Sequence, residues 1–390
     1  MAEADRLLDE LPLHTATNRL RKQWPPEWTT LVLQQCRLRR KATAKFPFAD
    51  RMFFTPVGLE QATDWWVAEY KARSIPAEAH VADFCCGIGG DLLGIARHAT
   101  AIGVDRSPLS LLLAEANHDA CVEAANGEFA LFDCTFHGGT VESFPHGFDC
   151  WHMDPDRRPQ NRRTTRLELH EPGIDVIDAV RNRCPDGLLK LAPAADIPAA
   201  WEPLAECEWI GRRRECRQLL VRFGKLARHP GRRCATILID DGTPGPARTR
   251  TIADLPDLDG AIVTSECGDY LYTPDPAIIA ARLVDALAAE LGLARVDTFS
   301  AYLTGPLISA DPAVQRFRIE AVLPFRPKKI RPVLAERRIG RLEIKTWGAP
   351  VDIETLRKQL RVPGNEAGVL LITRKGKSLQ AFLARRVDEN

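Results

Sequence analysis

Residues 81–91 read Val-Ala-Asp-Phe-Cys-Cys-Gly-Ile-Gly-Gly-Asp, and an apolar helical run then leads to Ala101-Ile-Gly-Val-Asp105. The order is buried strand, glycine turn, helix, and second strand ending in a carboxylate. Such a unit opens a Rossmann-like α/β sheet and builds a pocket for an adenosine-bearing cofactor. Gly87 and Gly89 let the backbone turn tightly and approach a ligand closely. The following helix aims its free N–H groups at the same spot. Asp105, about twenty residues on, stands where a carboxylate accepts hydrogen bonds from both ribose hydroxyls.

The spacing separates two cofactor classes. A dinucleotide fingerprint wants G-x-G-x-x-G/A with the helix N-terminus on a pyrophosphate. Here Gly87-Ile-Gly89-Gly90-Asp91-Leu92 lacks the third glycine in register, and Asp91 falls in the first helical turn, where it repels a pyrophosphate. Asp83 lies four residues before Gly87, where a methyltransferase strand presents an acid towards the methionine end of S-adenosylmethionine. The expected cofactor is therefore S-adenosylmethionine.

Alternating apolar runs and helical patterns predict a seven-stranded, mainly parallel sheet covered on both faces. The strands are expected at 81–86, 100–105, 129–133, 148–153, 187–192, 216–223 and 234–240, with helices at 89–98, 107–121, 173–182 and 196–204. No helical segment separates the last two strands, so they are expected to pair antiparallel. Residues 1–75 read as helix, ending in an amphipathic stretch from Gly58 to about Ala72. Residues 241–262 read as a linker, followed by a helix at 275–291 and a strand at 296–299. The segment 330–390 reads as a small α+β module, with β runs at 342–345 and 369–373 and a helix near 352–360.

In an open parallel sheet, ligands bind at the carboxyl ends of the strands. Asp83, Asp105, Asp133 and Asp154 are expected at such ends. Asp133, closing Phe129-Ala-Leu-Phe132, is placed to receive the adenine amino group. Asp154-Pro155 closes the fourth strand, where a transferable methyl would lie; proline frees the preceding carbonyl to accept from a substrate. Methyl transfer from a sulfonium is an in-line displacement, for which a protein supplies positioning and a proton acceptor. Arg157, Arg158, Arg162, Arg163 and Arg166 follow closely, and Arg157 and Arg158 suit a substrate phosphate. A second cluster, Gly211-Arg-Arg-Arg-Glu-Cys-Arg217, precedes the sixth strand. Residues 331–390 carry thirteen Lys/Arg against seven Asp/Glu, an excess sufficient for a basic face. His152, inside a strand, reads as a core residue.

With a net charge of +1 over 390 residues, the whole-chain field does not gather nucleic acid, so any such role falls to local patches. The eleven cysteines include no C-x-x-C pair, and neither a disulfide framework nor a metal site is expected. The acidic start, Met-Ala-Glu-Ala-Asp-Arg, and the lack of an apolar run near eighteen residues lead us to expect a cytoplasmic protein without membrane spans.

At these residues the chain resembles bacterial class I S-adenosylmethionine-dependent methyltransferases with a THUMP-like C-terminal domain. The matching motifs are Leu59-Glu-Gln-Ala-Thr63, Asp83 to Asp91, Gly103-Val-Asp105 and Asp154-Pro-Asp-Arg-Arg158. Leu189-Lys-Leu-Ala-Pro193, Glu208-Trp-Ile, Arg214-Glu-Cys-Arg217 and Tyr272-Thr-Pro-Asp-Pro276 continue them. The resemblance implies an N-terminal helical region (1–75), a methyltransferase domain (76–325) and a THUMP-like α+β domain (326–390). It also implies a cofactor turn built from Asp83, Cys85, Gly87 and Gly89. The core is similar to the trimethylguanosine synthase group, and THUMP domains elsewhere bind structured RNA, so an RNA substrate is the implied partner. Cys85 stands where many methyltransferases have the first glycine of the turn, and Asp156 replaces a small residue. The Asn/Asp-Pro-Pro-aromatic motif of exocyclic-amine methyltransferases is absent. A non-catalytic RNA-binding or assembly protein retaining this fold, and methylation of a protein or small molecule, remain alternatives at this point.

Overall fold

The first strand forms because Val81, Ala82, Asp83 and Phe84 are all buried, a pattern that suits a strand with neighbours on both sides and helices on both faces. A computed structural model describes the chain apart from residues 127–132, 145–146, 158–163, 257, 259, 265 and 388–390. It divides into two compact units. One comprises 1–207, 219–231 and 240–248, the other 208–218, 232–239 and 249–390.

Five helices lead: α1 (Ala2–Glu10), α2 (Leu13–Leu20), α3 (Pro26–Ala42), α4 (Pro56–Gln61) and α5 (Trp65–Ala72). The first three bury Leu7, Leu20, Leu33 and Cys36 against one another. The helix expected from Gly58 to Ala72 is two helices, because Thr55 caps the first and the Asp64 side chain, accepting from Val67 N at 3.1 Å, starts the second. Then come β1 (His80–Phe84), α6 (Gly90–Ile95), β2 (Thr100–Asp105), α7 (Pro108–Ala125), β3 (Cys134–Gly138), β4 (Cys150–Met153), α8 (Ile174–Arg183) and β5 (Gly187–Leu191). They are followed by β6 (Glu206–Arg212), β7 (Glu215–Phe223), β8 (Arg233–Ile239) and β9 (Arg248–Ala253).

The strand order is β3-β2-β1-β4-β5-β7-β6-β8-β9. Strands β1 to β5 pair in parallel, with Val81 facing Ala101 on one side and Cys150 on the other. β7 runs antiparallel to β5. Two expectations fail here. The strands near 216–223 and 234–240 are not neighbours, because β6 lies between them in the order. No helix forms at 196–204, where Pro198 and Pro203 leave only turns. The expected linker contains β9, and its first residues are pinned within their own unit. Trp66 Nε1 donates to Thr243 O at 2.8 Å, and Trp65 Nε1 donates to Pro244 O at 3.1 Å.

The second unit contains β10 (Tyr270–Pro274), α9 (Pro276–Ala280), α10 (Val284–Leu291), β11 (Ala294–Arg295) and β12 (Leu303–Gly305). It ends with β13 (Val314–Pro324), α11 (Pro327–Glu336), β14 (Ile339–Trp347), α12 (Ile353–Gln359), β15 (Glu366–Lys375) and β16 (Ser378–Arg386). The helix expected at 275–291 breaks at Arg282, which is left-handed at φ 62. Val296–Phe299 is a bend around Asp297, whose carboxylate accepts from Phe299 N at 2.9 Å and Gly376 N at 2.8 Å. The sheet order is β11-β12-β10-β13-β16-β15-β14, so β13 belongs to this sheet although it precedes residue 326. Alternation along β15 and β16 separates two cores. Leu370, Ile372, Ala381 and Leu383 face α11 and α12, while Val369, Leu371, Phe382 and Ala384 pack with Phe317 and Leu271. Among the described residues, no helix is long and apolar enough to cross a membrane.

Helices α5 and α6 meet at Gly94, where a Cβ would sit inside the Ala68 backbone. Gly94→Ala is therefore expected to force the pair apart and destabilise the first unit by about 1–3 kcal/mol, read from urea unfolding followed by tryptophan fluorescence. An unchanged midpoint would contradict this packing.

Candidate active site

The turn after β1 is left-handed three times, at Cys85 (φ 58), Gly87 (φ 57) and Gly89 (φ 88). Glycine adopts this conformation freely; at Cys85 it costs on the order of 1 kcal/mol. Asp105 holds the turn in place. Its Oδ2 accepts from Gly87 N at 2.9 Å and its Oδ1 from Ser107 N at 2.8 Å. A carboxylate offers about four lone-pair sites, so Asp105 retains acceptors for a ligand. A Cβ on Gly87 would meet nothing within 4 Å, whereas one on Gly89 would touch Ala114 of α7. Asn117 of α7 braces the same turn from below, donating to Ile88 O at 3.0 Å and accepting from Phe53 N at 2.7 Å. Open space beside Gly87, bounded by a fixed carboxylate at the end of β2, fits an adenosine-bearing group.

Beneath the turn lies a buried network of charges. Asp83 Oδ1 is 2.7 Å from His152 Nδ1, and His152 Nε2 is 3.1 Å from Lys71 Nζ. Lys71 Nζ pairs with Asp91 Oδ1. Asp91 Oδ2 accepts from Thr63 Oγ1 at 2.7 Å and lies 3.6 Å from Lys190 Nζ. Lys190 Nζ also donates to Asp154 Oδ2 at 2.5 Å and to Gln61 O at 3.4 Å. The chain of contacts thus runs from β1 through β4, α5, α6 and β5 to the residue just after β4. Only its last member is open to water, since the Asp154 side chain is 31% exposed and that of Lys190 13%.

Burial and charge set the protonation of these groups. For Asp91, burial favours the neutral acid, but Lys71, His152 and Lys190 together hold it well below the usual carboxylate range. Burial pushes Asp83 up despite His152, and it pushes Lys71 down despite Asp91. Lys190 is also desolvated, yet Asp154 and Asp91 raise it above an ordinary lysine and keep it an ammonium. Burial pushes the Cys85 thiol up, so it is no thiolate.

Several residues lie where the sequence suggests and others do not. Gly87, Gly89, Asp105 and Asp154 cluster at the carboxyl ends of β1, β2 and β4, with Asp154 N on Phe84 O at 3.3 Å. Pro155 is buried and Arg157 half-buried behind Asp154; Arg158 lies outside the described residues, as do Arg162 and Arg163. Asp83, expected to face the methionine end of the cofactor, is 1% exposed and turned inward onto His152. Asp133 is displaced more completely. The third strand is 134–138 rather than 129–133, so Asp133 precedes it, exposed, with its carbonyl at the start of β2. It stands at the amino end of the strand, opposite the ligand edge. Residues 129–132 lie outside the described residues. Sequence reasoning missed Thr63, Lys71 and the linkage through Lys190. A signal was present, since each lysine interrupts an apolar run, Trp65-Trp-Val-Ala-Glu-Tyr-Lys71 and Leu188-Leu-Lys190-Leu.

Removing one partner of a buried pair strands the other charge. Asp91→Asn is expected to cost about 3–5 kcal/mol at pH 7, and adding Lys71→Met is expected to recover part of that loss. Because the folded state holds Asp91 low, its stabilisation is present above an unfolded aspartate's ordinary value, about 3.9, and is lost as pH falls below it. Urea midpoints measured from pH 7 to pH 3 check both statements. Equal midpoints for the wild type and Asp91→Asn at pH 7 would contradict them.

Residues 314–386 match the THUMP domain-like family. Two uncharacterized S-adenosylmethionine-dependent methyltransferases from Mycobacterium tuberculosis strains (CDC 1551 / Oshkosh and ATCC 25618 / H37Rv) are 30% identical over 349 residues, covering 87% of this chain and 91% of theirs. A crystal structure from Porphyromonas gingivalis W83, of a protein assigned as a methyltransferase, superposes with a TM-score of 0.71 at 21% identity, covering 94% of this chain and 92% of that one. That likeness extends the shared fold over nearly the whole length. With the glycine turn, the Asp105 anchor and this extent of similarity, the chain belongs to the S-adenosylmethionine-dependent methyltransferases.

Proposed function

We propose that this methyltransferase acts on RNA, with transfer taking place at the edge formed by the Cys85–Gly89 turn, Asp105, Asp154 and Lys190. S-adenosylmethionine supplies an electrophilic methyl group on a sulfonium. The open side of Gly87 admits the cofactor, the backbone of Cys85 and Gly89 shapes the turn around it, and Asp105 accepts from its ribose. Asp83 acts at a distance by orienting His152. Asp154, partly exposed at the end of β4, faces the acceptor with Pro155 behind it. Arg157, with Arg158 next to it in sequence, is the candidate for a substrate phosphate.

The observation carrying the RNA reading is a group of exposed basic residues on two helices of the second unit. Arg326, Lys328, Lys329 and Arg331, at the start of α11, are exposed and make no ion pair among the described residues. Lys358 and Arg361, at the end of α12 on the same core, are exposed as well. Other arginines of the module do pair with acids, as Arg337 does with Glu320, Arg385 with Glu320 and Arg386 with Glu343. Exposed cations gathered on these two helices suit a phosphate backbone, which rewards charge without reading sequence. The THUMP domain-like match falls on the same segment. A chain handling nucleic acid and S-adenosylmethionine is expected to work in the cytoplasm.

The test is transfer of tritium from labelled S-adenosylmethionine into total cellular RNA. Label that survives protease, is lost on RNase treatment and falls about 100-fold or more in Asp154→Ala supports the reading. Label in protein, or none in RNA, overturns it. In parallel, calorimetry with S-adenosylhomocysteine should show binding that Asp105→Ala weakens by at least tenfold, about 1.4 kcal/mol. Equal affinity would remove Asp105 from the cofactor site.

A further inference from the structure

The Lys190 ammonium beside Asp154 bears on which kind of atom is methylated, an inference that rests on transfer taking place at this edge. A nitrogen acceptor gains positive charge as its new bond forms, and an adjacent ammonium opposes that change. A hydroxyl is too weak a nucleophile to attack with its proton on; when the proton leaves ahead of bond formation the oxygen carries negative charge, so a neighbouring cation favours it while a neighbouring carboxylate takes the proton. Lys190 and Asp154 present such a pair, 2.5 Å apart at the partly exposed end of the network. Asp91, 3.6 Å behind Lys190 and itself neutralised by Lys71, holds the lysine at this edge. Alternatives lack support in the same place. Methylation at an activated base carbon calls for a thiolate nucleophile, and Cys85 is held as a thiol by burial. After Asp154-Pro155 comes Asp156-Arg157, not the aromatic residue of the Asn/Asp-Pro-Pro-aromatic motif that serves base amines.

We propose that the acceptor is a hydroxyl oxygen, in RNA the ribose 2′-hydroxyl, held between Asp154 and Lys190. The C–O bond forms as the sulfonium C–S bond breaks and its electron pair stays on sulfur. The hydroxyl proton passes to the Asp154 carboxylate and from there to water, and Lys190 stabilises the oxygen while that proton leaves.

The experiment hydrolyses tritium-labelled RNA in alkali. Cleavage needs a free 2′-hydroxyl, so 2′-O-methylated linkages survive as labelled dinucleotides. Label in dinucleotides is the expected result. Label in mononucleotides places the methyl on a base and overturns this inference while leaving the RNA reading intact; absence of label from RNA overturns both. Lys190→Met is expected to lower kcat about 100-fold with unchanged affinity for S-adenosylhomocysteine. Lys190→Arg, which keeps the charge, is expected to recover part of the rate. A Lys190→Met enzyme with wild-type kcat, or one that loses S-adenosylhomocysteine affinity as well, would overturn the role given to Lys190.

Discussion

Asp91 is a carboxylate removed from water, and the candidate site is organised around meeting its charge. Two ammonium groups do so, Lys71 from α5 and Lys190 from β5, while Thr63 supplies a hydroxyl. An isolated charge in such a place costs several kcal/mol, so these elements are fixed relative to one another by electrostatics as well as by packing. The glycine turn, the end of β4 and the N-terminal helices become one object. The region before β1 thus contributes Thr63 and Lys71 to the charge network of the candidate site, a link that its helical periodicity alone does not reveal.

The same network distributes charge towards the reacting edge. Its inner end, Asp83 with His152, is fully buried, while its outer end, Lys190 with Asp154, meets solvent. Among the described residues of the network, this outer pair is the part that solvent reaches. Asp105 works separately, cinching Gly87 through a backbone N–H while keeping further lone pairs.

Much of this was legible in the sequence where local chemistry decides the structure. Glycines at positive φ, a carboxylate closing a buried strand and an Asp-Pro at a strand end are short-range signals, and Gly87, Gly89, Asp105 and Asp154 lie where those signals put them. The errors arise where burial is partial. β3 is an edge strand, Cys134-Thr-Phe-His-Gly138, with no fully buried residue, so the apolar run before it draws the eye and misplaces Asp133. β6 hides for the opposite reason, since its buried Glu208 and Arg212 make a core strand look polar. Lys71 and Lys190 stand out in the sequence only as lysines within apolar runs, which marks them as buried but names no partner. Their partners come from α4, α6, β4 and the residue just after β4, and no spacing rule connects residues that distant.

The position of the bound cofactor decides whether this edge is the site of transfer. The most direct measurement is a crystal structure of the full chain with S-adenosylhomocysteine bound. It should show the ribose hydroxyls on Asp105, the sulfur facing Asp154 and Lys190, and the Lys71–Asp91 pair intact beneath the turn. A ligand whose ribose lies away from Asp105, or whose sulfur faces away from the end of β4, would contradict it.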